Sequence, residues 1–384
     1  MQHPPKNPAL AAIPRGLMVA LDDRKRALLR EGRHLVDLGV GDPREPTPAF
    51  LREAFVAAAG AVSQYPSPYG TPALRAAAAG YLERRFGVRV DPEAQVLACA
   101  GAKEAIFHLP LAFAGAPGKT KVVIPDPAYP SYEAGARLAG LEVVRAPLRP
   151  ERRFLLEPED LGEDVLARTL VLWVNYPHNP TGAEADRAYY RRLGEAAKKY
   201  GFIVGSDEVY TDISFGAERP PSMLEVQVEN VVAVYSCSKR SGMTGYRSGF
   251  MAGDPDLVAA LRQLRAHPGC ASAEPVAAAA ALAWADDAHP AERSAIFRAK
   301  RDVFLAFFRD HGLEVAPSAS TIYLWVKVPG DGDDGAYALR LLEAGIVVAP
   351  GASFGPAGAG WVRVALVPTL PQCEEAVRAW ERVR

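Results

Sequence analysis

The stretch SCSKRSGMTGYRSGF, residues 236–250, follows the short apolar run VVAV at 231–234. The run predicts a buried strand, and the stretch after it is rich in Gly and Ser, with Lys239 between small residues. A lone lysine is usually an ordinary surface residue. A lysine at the end of a buried strand, however, is partly desolvated. Its amine pKa then falls, and it can attack a carbonyl to form a Schiff base.

The region before this stretch alternates short apolar runs with amphipathic helical patterns, which predicts a mostly parallel sheet with helices on both faces. Thr71 and Pro72 have the chemistry of a helix start, so a helix is expected over 72–86. The other predicted helices lie at 102–114, 129–139 and 185–200. The predicted strands are KVVIP (121–125), LEVVRA (141–146), TLVLWVN (169–175), FIVGS (202–206) and VVAVYS (231–236).

The pattern changes after about residue 275 and predicts a second, smaller α+β domain. A long helical stretch at 275–311 precedes three short strands and a last helix at 371–383. We therefore expect a large domain over 46–275 and a small domain built from 1–45 with 276–384. The three strands are TIYLWVKV (321–328), IVVAP (346–350) and WVRVALV (361–367).

Composition excludes several classes of function. The chain has 44 Lys plus Arg and 45 Asp plus Glu, a balance that argues against a dedicated nucleic-acid surface. No apolar run approaches the length of a membrane span, and the N-terminus lacks a signal-peptide core. The four cysteines are scattered, without a CxxC pair or a histidine at ligand spacing. We expect reduced thiols, no metal site and a cytoplasmic protein.

Polar residues follow three consecutive strands, in the segments NYPHNPTG (175–182), SDEVY (206–210) and SCSK (236–239). Ligands of an open parallel sheet bind outside the carboxyl ends of its strands. The residues predicted to meet at that edge are Asn179, Asp207, Tyr210, Ser236, Ser238 and Lys239.

These residue types match one cofactor. A buried Asp207 can keep a pyridine nitrogen protonated, although a single Asp after a strand more often caps the next segment. Ser236, Ser238 and Arg247 can form a phosphate cup, and the helix that opens at AGAKEAIFHL (100–109) offers amides to an anion. Together with a Schiff-base lysine, they predict pyridoxal 5′-phosphate.

The segments NPTG, SDEVY and SxSKxxxxxGxRxG, in this order, resemble those of the class I/II aminotransferases, which are fold-type I pyridoxal-phosphate enzymes. The resemblance runs from DLGVGDPREPTP (37–48) to WVRVALV. It implies an α/β fold whose large domain has a mostly parallel seven-stranded sheet between helices. It also implies a homodimer with shared active sites.

The resemblance assigns roles position by position. Lys239 is similar to the lysine that binds the cofactor covalently, and Asp207 to the partner of the pyridine nitrogen. Asn179 and Tyr210 are similar to donors to the phenolic oxygen, and Tyr129 to the aromatic residue that stacks on the ring. The remaining cofactor contacts that it implies are Gly101, Ala102, Lys103, Ser236, Ser238 and Arg247, with Tyr65 reaching the neighbouring subunit's phosphate.

Arg363 and Gly41 resemble the contacts to the substrate carboxylate, with Asn179 beside them. Alternation in WVRVALV places Trp361 and Arg363 on one side of a strand, which favours a carboxylate ligand over an exposed face. Ala102 departs from the family, where Gly, Ser or Thr is common, but the backbone donors there are unaffected.

Finer features, among them SKRSGMTGYRSGFMAGD (238–254), most resemble N-succinyldiaminopimelate aminotransferases of lysine biosynthesis. The implied reaction is a ping-pong transamination between that amino acid and 2-oxoglutarate, with Lys239 moving the α-proton. Arg44, Arg240 and residues near Arg15 are candidates for the distal carboxylates, although a solvated surface role is the simpler interpretation for each.

Alternatives remain open at this point. The same fold also supports aspartate or aromatic aminotransferases and a C–S β-lyase, which the motifs do not separate. A DNA-binding regulator of this fold is disfavoured because the residues before VGDP lack a helix-turn-helix pattern. A nicotinamide dehydrogenase is disfavoured because no GxGxxG follows the first strands.

Overall fold

The computed structural model describes residues 7–11, 18–330 and 332–383. Its strands are β1 (Val36–Asp37), β2 (Val96–Cys99), β3 (Lys121–Asp126), β4 (Glu142–Pro147), β5 (Thr169–Asn175), β6 (Ile203–Asp207), β7 (Val231–Ser236), β8 (Gly249–Gly253), β9 (Tyr323–Lys327), β10 (Ile346–Val347), β11 (Ala349–Pro350) and β12 (Trp361–Ala365).

The helices connect these strands and cover them. They are α1 (Pro8–Ala11), α2 (Met18–Arg30), α3 (Ala49–Ala57), α4 (Pro72–Phe86), α5 (Ala102–Phe113), α6 (Ser131–Leu138), α7 (Glu163–Arg168), α8 (Arg187–Tyr200), α9 (Cys237–Arg240), α10 (Pro255–Arg265), α11 (Glu274–Ala285), α12 (Ala288–Asp310), α13 (Asp334–Glu343) and α14 (Leu370–Trp380). None of the helices described is long and apolar enough to cross a membrane.

A seven-stranded sheet forms the centre of the larger part of the molecule, which confirms the predicted fold class. Its spatial order is β2-β8-β7-β6-β5-β3-β4, and β8 is antiparallel to both of its neighbours while the pairs from β7 to β4 are parallel. Strands β3, β5, β6 and β7 are buried along their whole length, as expected where helices cover both faces of a parallel sheet.

A second core lies around two small sheets. Strand β12 pairs antiparallel with β9 and β11, and β1 pairs parallel with β10. Helices α12, α13 and α14 contribute apolar side chains to this core, whereas the buried alanines of α11 belong to the core of the large sheet. We therefore propose the predicted two-domain division with its second boundary between α11 and α12 instead of at residue 275.

Local sequence explains several element boundaries. The Thr71 side chain accepts a hydrogen bond from the Leu74 amide at 3.2 Å, and α4 ends at Gly87 in a left-handed conformation, so the predicted helix over 72–86 is confirmed. The predicted helix over 275–311 is instead two helices. The helix is interrupted at Asp286, whose backbone is extended (φ −106°, ψ 130°), and the Asp286 carboxylate accepts a hydrogen bond of 2.9 Å from the His289 amide in the first turn of α12.

Candidate active site

The three strand-end segments meet, as predicted, at the carboxyl edge of β5, β6 and β7. A cavity of about 790 Å³ opens there, between the large sheet and the small sheets. Residues of the second core reach into it from β9 and β12. The predicted site residues that line it are Gly41, Ala102, Lys103, Tyr129, Asn179, Asp207, Tyr210, Ser236, Ser238, Lys239, Arg247 and Arg363.

Lys239 enters this cavity from α9, a single turn that begins directly after β7. The Ser236 hydroxyl accepts a hydrogen bond from the Ser238 amide at 3.1 Å and thereby starts the turn. The Lys239 ammonium donates to the carbonyl of Gly41. Burial lowers the pKa of this lysine below its ordinary value, so more of the amine is neutral and nucleophilic near neutral pH.

Asp207 ends β6 and is almost fully buried. Its Oδ2 accepts a hydrogen bond of 2.6 Å from the Tyr132 hydroxyl, and the Tyr132 ring is stacked on Trp173. Its Oδ1 is buried and has no hydrogen-bond partner among the described residues. Burial raises the pKa of the carboxyl to about 6, although the hydrogen bond from Tyr132 opposes this effect.

Arg363 presents a positive charge on the opposite side of the cavity. Its Nη1 donates to Asn179 Oδ1 at 3.0 Å and its Nη2 donates to the Gly39 carbonyl at 2.7 Å. The guanidinium lies over two aromatic rings, 4.2 Å from the Tyr323 centroid and 4.5 Å from that of Phe354. A buried, oriented guanidinium next to an amide is well suited to hold a carboxylate.

Anion donors converge where α5 begins. Gly101, at φ +83°, precedes α5, and a Cβ at this position would lie 2.7 Å from Nη2 of Arg247. Arg247 also donates to the carbonyls of Thr244 at 3.0 Å and Ala100 at 3.1 Å. The first residues of α5, Ala102 and Lys103, line the same cavity as this guanidinium and the hydroxyls of Ser236 and Ser238, and no side chain of the described residues caps the start of the helix.

The sequence analysis did not identify several residues of the cavity lining, among them Tyr323 and Phe354. Tyr323 lies in the predicted strand TIYLWVKV and lines the cavity, where its hydroxyl accepts a hydrogen bond of 3.3 Å from the Tyr210 hydroxyl. The antiparallel register pairs Trp325 with Arg363 and Tyr323 with Ala365. A pairing of the predicted strands would have placed Tyr323 diagonally beside Arg363, but the sequence does not specify which strands pair.

Other predicted residues lie elsewhere. Tyr65 is fully exposed and lines a separate cavity of about 200 Å³. Arg44 is exposed, and Arg15 lies outside the described residues.

The interpretation of Arg240 as a distal substrate contact or a solvated arginine is wrong, because this side chain is buried and its Nε donates to Asp212 at 2.7 Å. Partly buried Arg85 donates to the same carboxylate at 3.1 Å, so Asp212 pairs with two arginines, and Arg240 does not line the cavity.

The family comparison agrees with this geometry. Residues 33–379 match the model of the family described as aminotransferase class I and II. The chain belongs to the class I and II aminotransferases. It is therefore a pyridoxal-phosphate-dependent transaminase, as the strand-end motifs predicted.

Relatives of this aminotransferase cover nearly its whole length. It is 37% identical over 382 residues to an LL-diaminopimelate aminotransferase of Aquifex aeolicus, covering 98% of this chain and 97% of the relative. It is similar to a Thermus thermophilus structure described as a probable N-succinyldiaminopimelate aminotransferase, at 31% identity and TM-score 0.88, over 96% of this chain and 100% of that one. A double mutant of Thermus thermophilus aspartate aminotransferase has TM-score 0.92 at 29% identity and covers 100% of both chains.

The residues of the cavity fit the cofactor of this family. The unpartnered Oδ1 of Asp207 is a buried acceptor, which a protonated ring nitrogen would satisfy. The helix start, hydroxyls and guanidinium around Arg247 suit a phosphate, and the partly desolvated Lys239 lines the same cavity. The donor set thus has a group for each end of pyridoxal phosphate.

Proposed function

We propose that this aminotransferase transfers the α-amino group of a diaminopimelate-type amino acid to 2-oxoglutarate in cytoplasmic lysine biosynthesis. One observation carries the chemical part of the proposal: the low-pKa Lys239, the unpartnered carboxylate oxygen of Asp207 and the oriented Arg363 line a single cavity. These groups supply, respectively, a nucleophile, an anchor for a cationic ring and a clamp for a carboxylate.

Each side chain has a proposed part in the reaction. Bound pyridoxal phosphate supplies an electron sink for the charge that forms when the substrate α-carbon loses its proton. Lys239 takes that proton and returns it, because its buried amine titrates below the ordinary lysine range. Asp207 keeps its carboxylate toward the ring nitrogen, and Tyr210 and Asn179 donate toward the ring oxygen.

The binding residues orient cofactor and substrate. Arg363 holds the substrate α-carboxylate beside the Gly41 backbone, and Tyr129 packs on the cofactor ring. The Nζ of Lys103 lies 5.6 Å from the centroid of the Tyr129 ring. The proposed phosphate contacts are Gly101, Ala102 and Lys103 through their backbone amides, with Ser236, Ser238 and Arg247.

The choice of amino donor rests on similarity. The Aquifex relative is named for LL-diaminopimelate, and the Thermus structure is described with the succinylated compound. We put LL-diaminopimelate first, because its relative is the more similar in sequence and covers the chain almost completely. The succinylated donor, which the sequence analysis favoured, is the second candidate.

A homodimer is part of the proposal. Tyr65 is fully exposed, and large apolar side chains near it in the sequence are exposed too, with Val56 at 70% and Val62 at 80%. Helix α3, which carries Val56, packs against α11, which carries the half-exposed Leu282. A second copy covering this apolar surface would place its own Tyr65 near the phosphate site of the first.

The test is single-turnover absorbance of the cofactor-loaded protein with a panel of amino donors. We expect LL-diaminopimelate to remove the absorbance band of bound pyridoxal phosphate and 2-oxoglutarate to restore it. Lys239→Ala should abolish turnover, whereas Lys198→Ala, an exposed lysine on α8, should not change it. Turnover by Lys239→Ala through both half-reactions would refute the mechanism, and conversion by aspartate or aromatic donors alone would refute the substrate.

A further inference from the structure

We propose that Tyr323 is a positioning residue of the active site, with separate tasks for its hydroxyl and its ring. The hydroxyl fixes Tyr210 in the cavity that Lys239 also lines, and the ring fixes Arg363 in the orientation that receives a carboxylate. The inference rests on the proposed roles of Lys239, Tyr210 and Arg363. It adds a residue from β9, on the opposite side of the cavity from the strand-end motifs.

The hydroxyl occupies a crowded position. The Tyr210 hydroxyl donates to it at 3.3 Å, and a Cβ on Gly41 would lie 1.9 Å from the Tyr323 oxygen and 2.8 Å from its Cζ. Tyr323 therefore fills the space that the missing side chain of Gly41 leaves. The carbonyl of Gly41 accepts from the Lys239 ammonium, so the same phenol contacts Tyr210 directly and packs against the hydrogen-bond partner of Lys239.

The ring has a different partner. The Arg363 guanidinium lies over it at 4.2 Å, held there by the antiparallel register of β9 and β12. The Nε of Arg363 has no hydrogen-bond partner in the part of the chain that the structure describes, so stacking and two acceptors define its orientation. Removing the ring should loosen the guanidinium without removing its charge.

These two tasks predict different kinetic effects. With cofactor bound, Tyr210 donates to the ring oxygen and Tyr323 can donate to Tyr210, which makes Tyr210 the better donor. Tyr323→Phe should lower kcat about tenfold with KM for the amino donor within about twofold. Tyr323→Leu should also raise that KM about tenfold, because Arg363 loses its stacking on Tyr323 and keeps only that on Phe354.

A spectroscopic measurement separates positioning from a merely structural role. The absorbance of bound pyridoxal phosphate is titrated with pH in wild type and Tyr323→Phe, without substrate. In Tyr323→Phe, Tyr210 is a weaker donor, and more negative charge stays on the ring oxygen of the cofactor. That charge holds the proton shared with the Lys239 nitrogen more tightly. The midpoint should therefore move to higher pH, by about 0.5 unit.

Tyr337→Phe is the matched control. Tyr337 is as buried as Tyr323, lies in the same core, accepts a hydrogen bond of 2.8 Å from Trp380 Nε1 and does not line the cavity. It should leave kcat, KM and the absorbance midpoint unchanged. The inference is overturned if Tyr323→Phe has wild-type kcat and midpoint, or if both Tyr323 variants change only KM. An active Lys239→Ala would instead refute the proposed function, so the two failures are distinguishable.

Discussion

The Tyr132 hydroxyl lies 2.6 Å from Oδ2 of Asp207 and leaves Oδ1 of the same carboxylate without a partner among the residues described. The two oxygens thus have different tasks. One is fixed by a tyrosine that is itself stacked on Trp173, with ring centroids 5.1 Å apart. The other is available to a ligand, in a residue that lines the cavity. The carboxylate is oriented before any ligand arrives, which lowers the entropy cost of binding a ring cation.

Tyr132→Phe should weaken cofactor binding. The change removes the hydrogen bond to Oδ2 and keeps the stacked ring, so Asp207 loses its fixed orientation but not its burial. A hydrogen bond to a charged group contributes roughly 1.5–3 kcal/mol, so the dissociation constant of pyridoxal phosphate should rise about tenfold or more. An absorbance titration of cofactor-free protein measures it.

Tyr189→Phe provides the comparison for that experiment. Its buried hydroxyl donates to the Leu156 carbonyl at 2.7 Å, and Tyr189 does not line the cavity. Stability should fall by a similar amount in both variants, but cofactor affinity only in Tyr132→Phe. Equal affinity for wild type and Tyr132→Phe would show that the packing around Asp207 suffices to orient it.

Asp207→Asn should change how the stability of the cofactor-free protein depends on pH. Burial raises the pKa of Asp207 from 3.8 to about 6, so the folded state binds its proton more tightly than the unfolded state. This tighter proton binding stabilises the folded state. The stabilisation is complete below pH 3.8 and is lost as the pH rises through about 6. The loss is at most about 3 kcal/mol.

The asparagine variant lacks this titration. Relative to the wild type, cofactor-free Asp207→Asn should gain stability between about pH 4 and pH 6, with a constant difference above that range. Denaturant unfolding at a series of pH values, all without cofactor, measures the difference. A difference that does not vary with pH would mean that Asp207 keeps an ordinary pKa in the folded protein.

Arg363→Lys should weaken substrate binding much more than it weakens cofactor binding. The planar guanidinium donates to Asn179 and the Gly39 carbonyl and stacks on Tyr323, which a lysine ammonium does not reproduce. KM for the amino donor should rise about 100-fold, because a paired and oriented charge is lost. Arg309→Lys, at an exposed position on α12, is the control. An unchanged KM would exclude Arg363 as the carboxylate contact.

The sequence predicted those parts of the structure that depend on local pattern. Strand β5 has the predicted bounds, and the residues after β5, β6 and β7 meet because parallel strands end at one edge. Strand β8 was missed: it begins and ends with glycine. Gly249 is required by packing, since a Cβ there would lie 2.3 Å from the Tyr235 carbonyl.

Relationships between distant segments were not predictable from one sequence. Tyr132 belongs to a helix that follows β3, and only the sheet order β6-β5-β3 brings it to Asp207. The position of Tyr323 beside Arg363 depends on the pairing of β9 with β12. Arginine is usually an exposed residue type, but the guanidinium of Arg240 is buried, where it donates hydrogen bonds to Asp212 and to the carbonyl of Ala283. Each case depends on a tertiary contact that overrides the local preference of the residue type.

The proposed shared active site predicts complementation between an inactive variant, Lys239→Ala, and a weakened variant, Tyr65→Ala. Lys239→Ala removes the lysine of its own cavity, and Tyr65→Ala removes the tyrosine that is proposed to serve the partner's cavity. In a mixed dimer, one cavity would lack both residues, and the other would have Lys239 from one subunit and Tyr65 from its partner. The mixture should therefore show activity per mixed dimer near half that of wild type, while Lys239→Ala alone shows none and Tyr65→Ala alone is weakened.

The experiment combines differently tagged subunits, isolates the mixed dimer and measures turnover at saturating cofactor. Tyr65 suits the test because its side chain is fully exposed in the single chain, so its removal costs little folding stability. Tyr246→Ala, a partly buried tyrosine outside the cavity lining, replaces Tyr65→Ala in a control mixture. If Tyr65 served its own cavity, the mixed dimer would contain one cavity without lysine and one without tyrosine. Activity would then not exceed that of Tyr65→Ala alone, and the proposal of a shared site would be wrong.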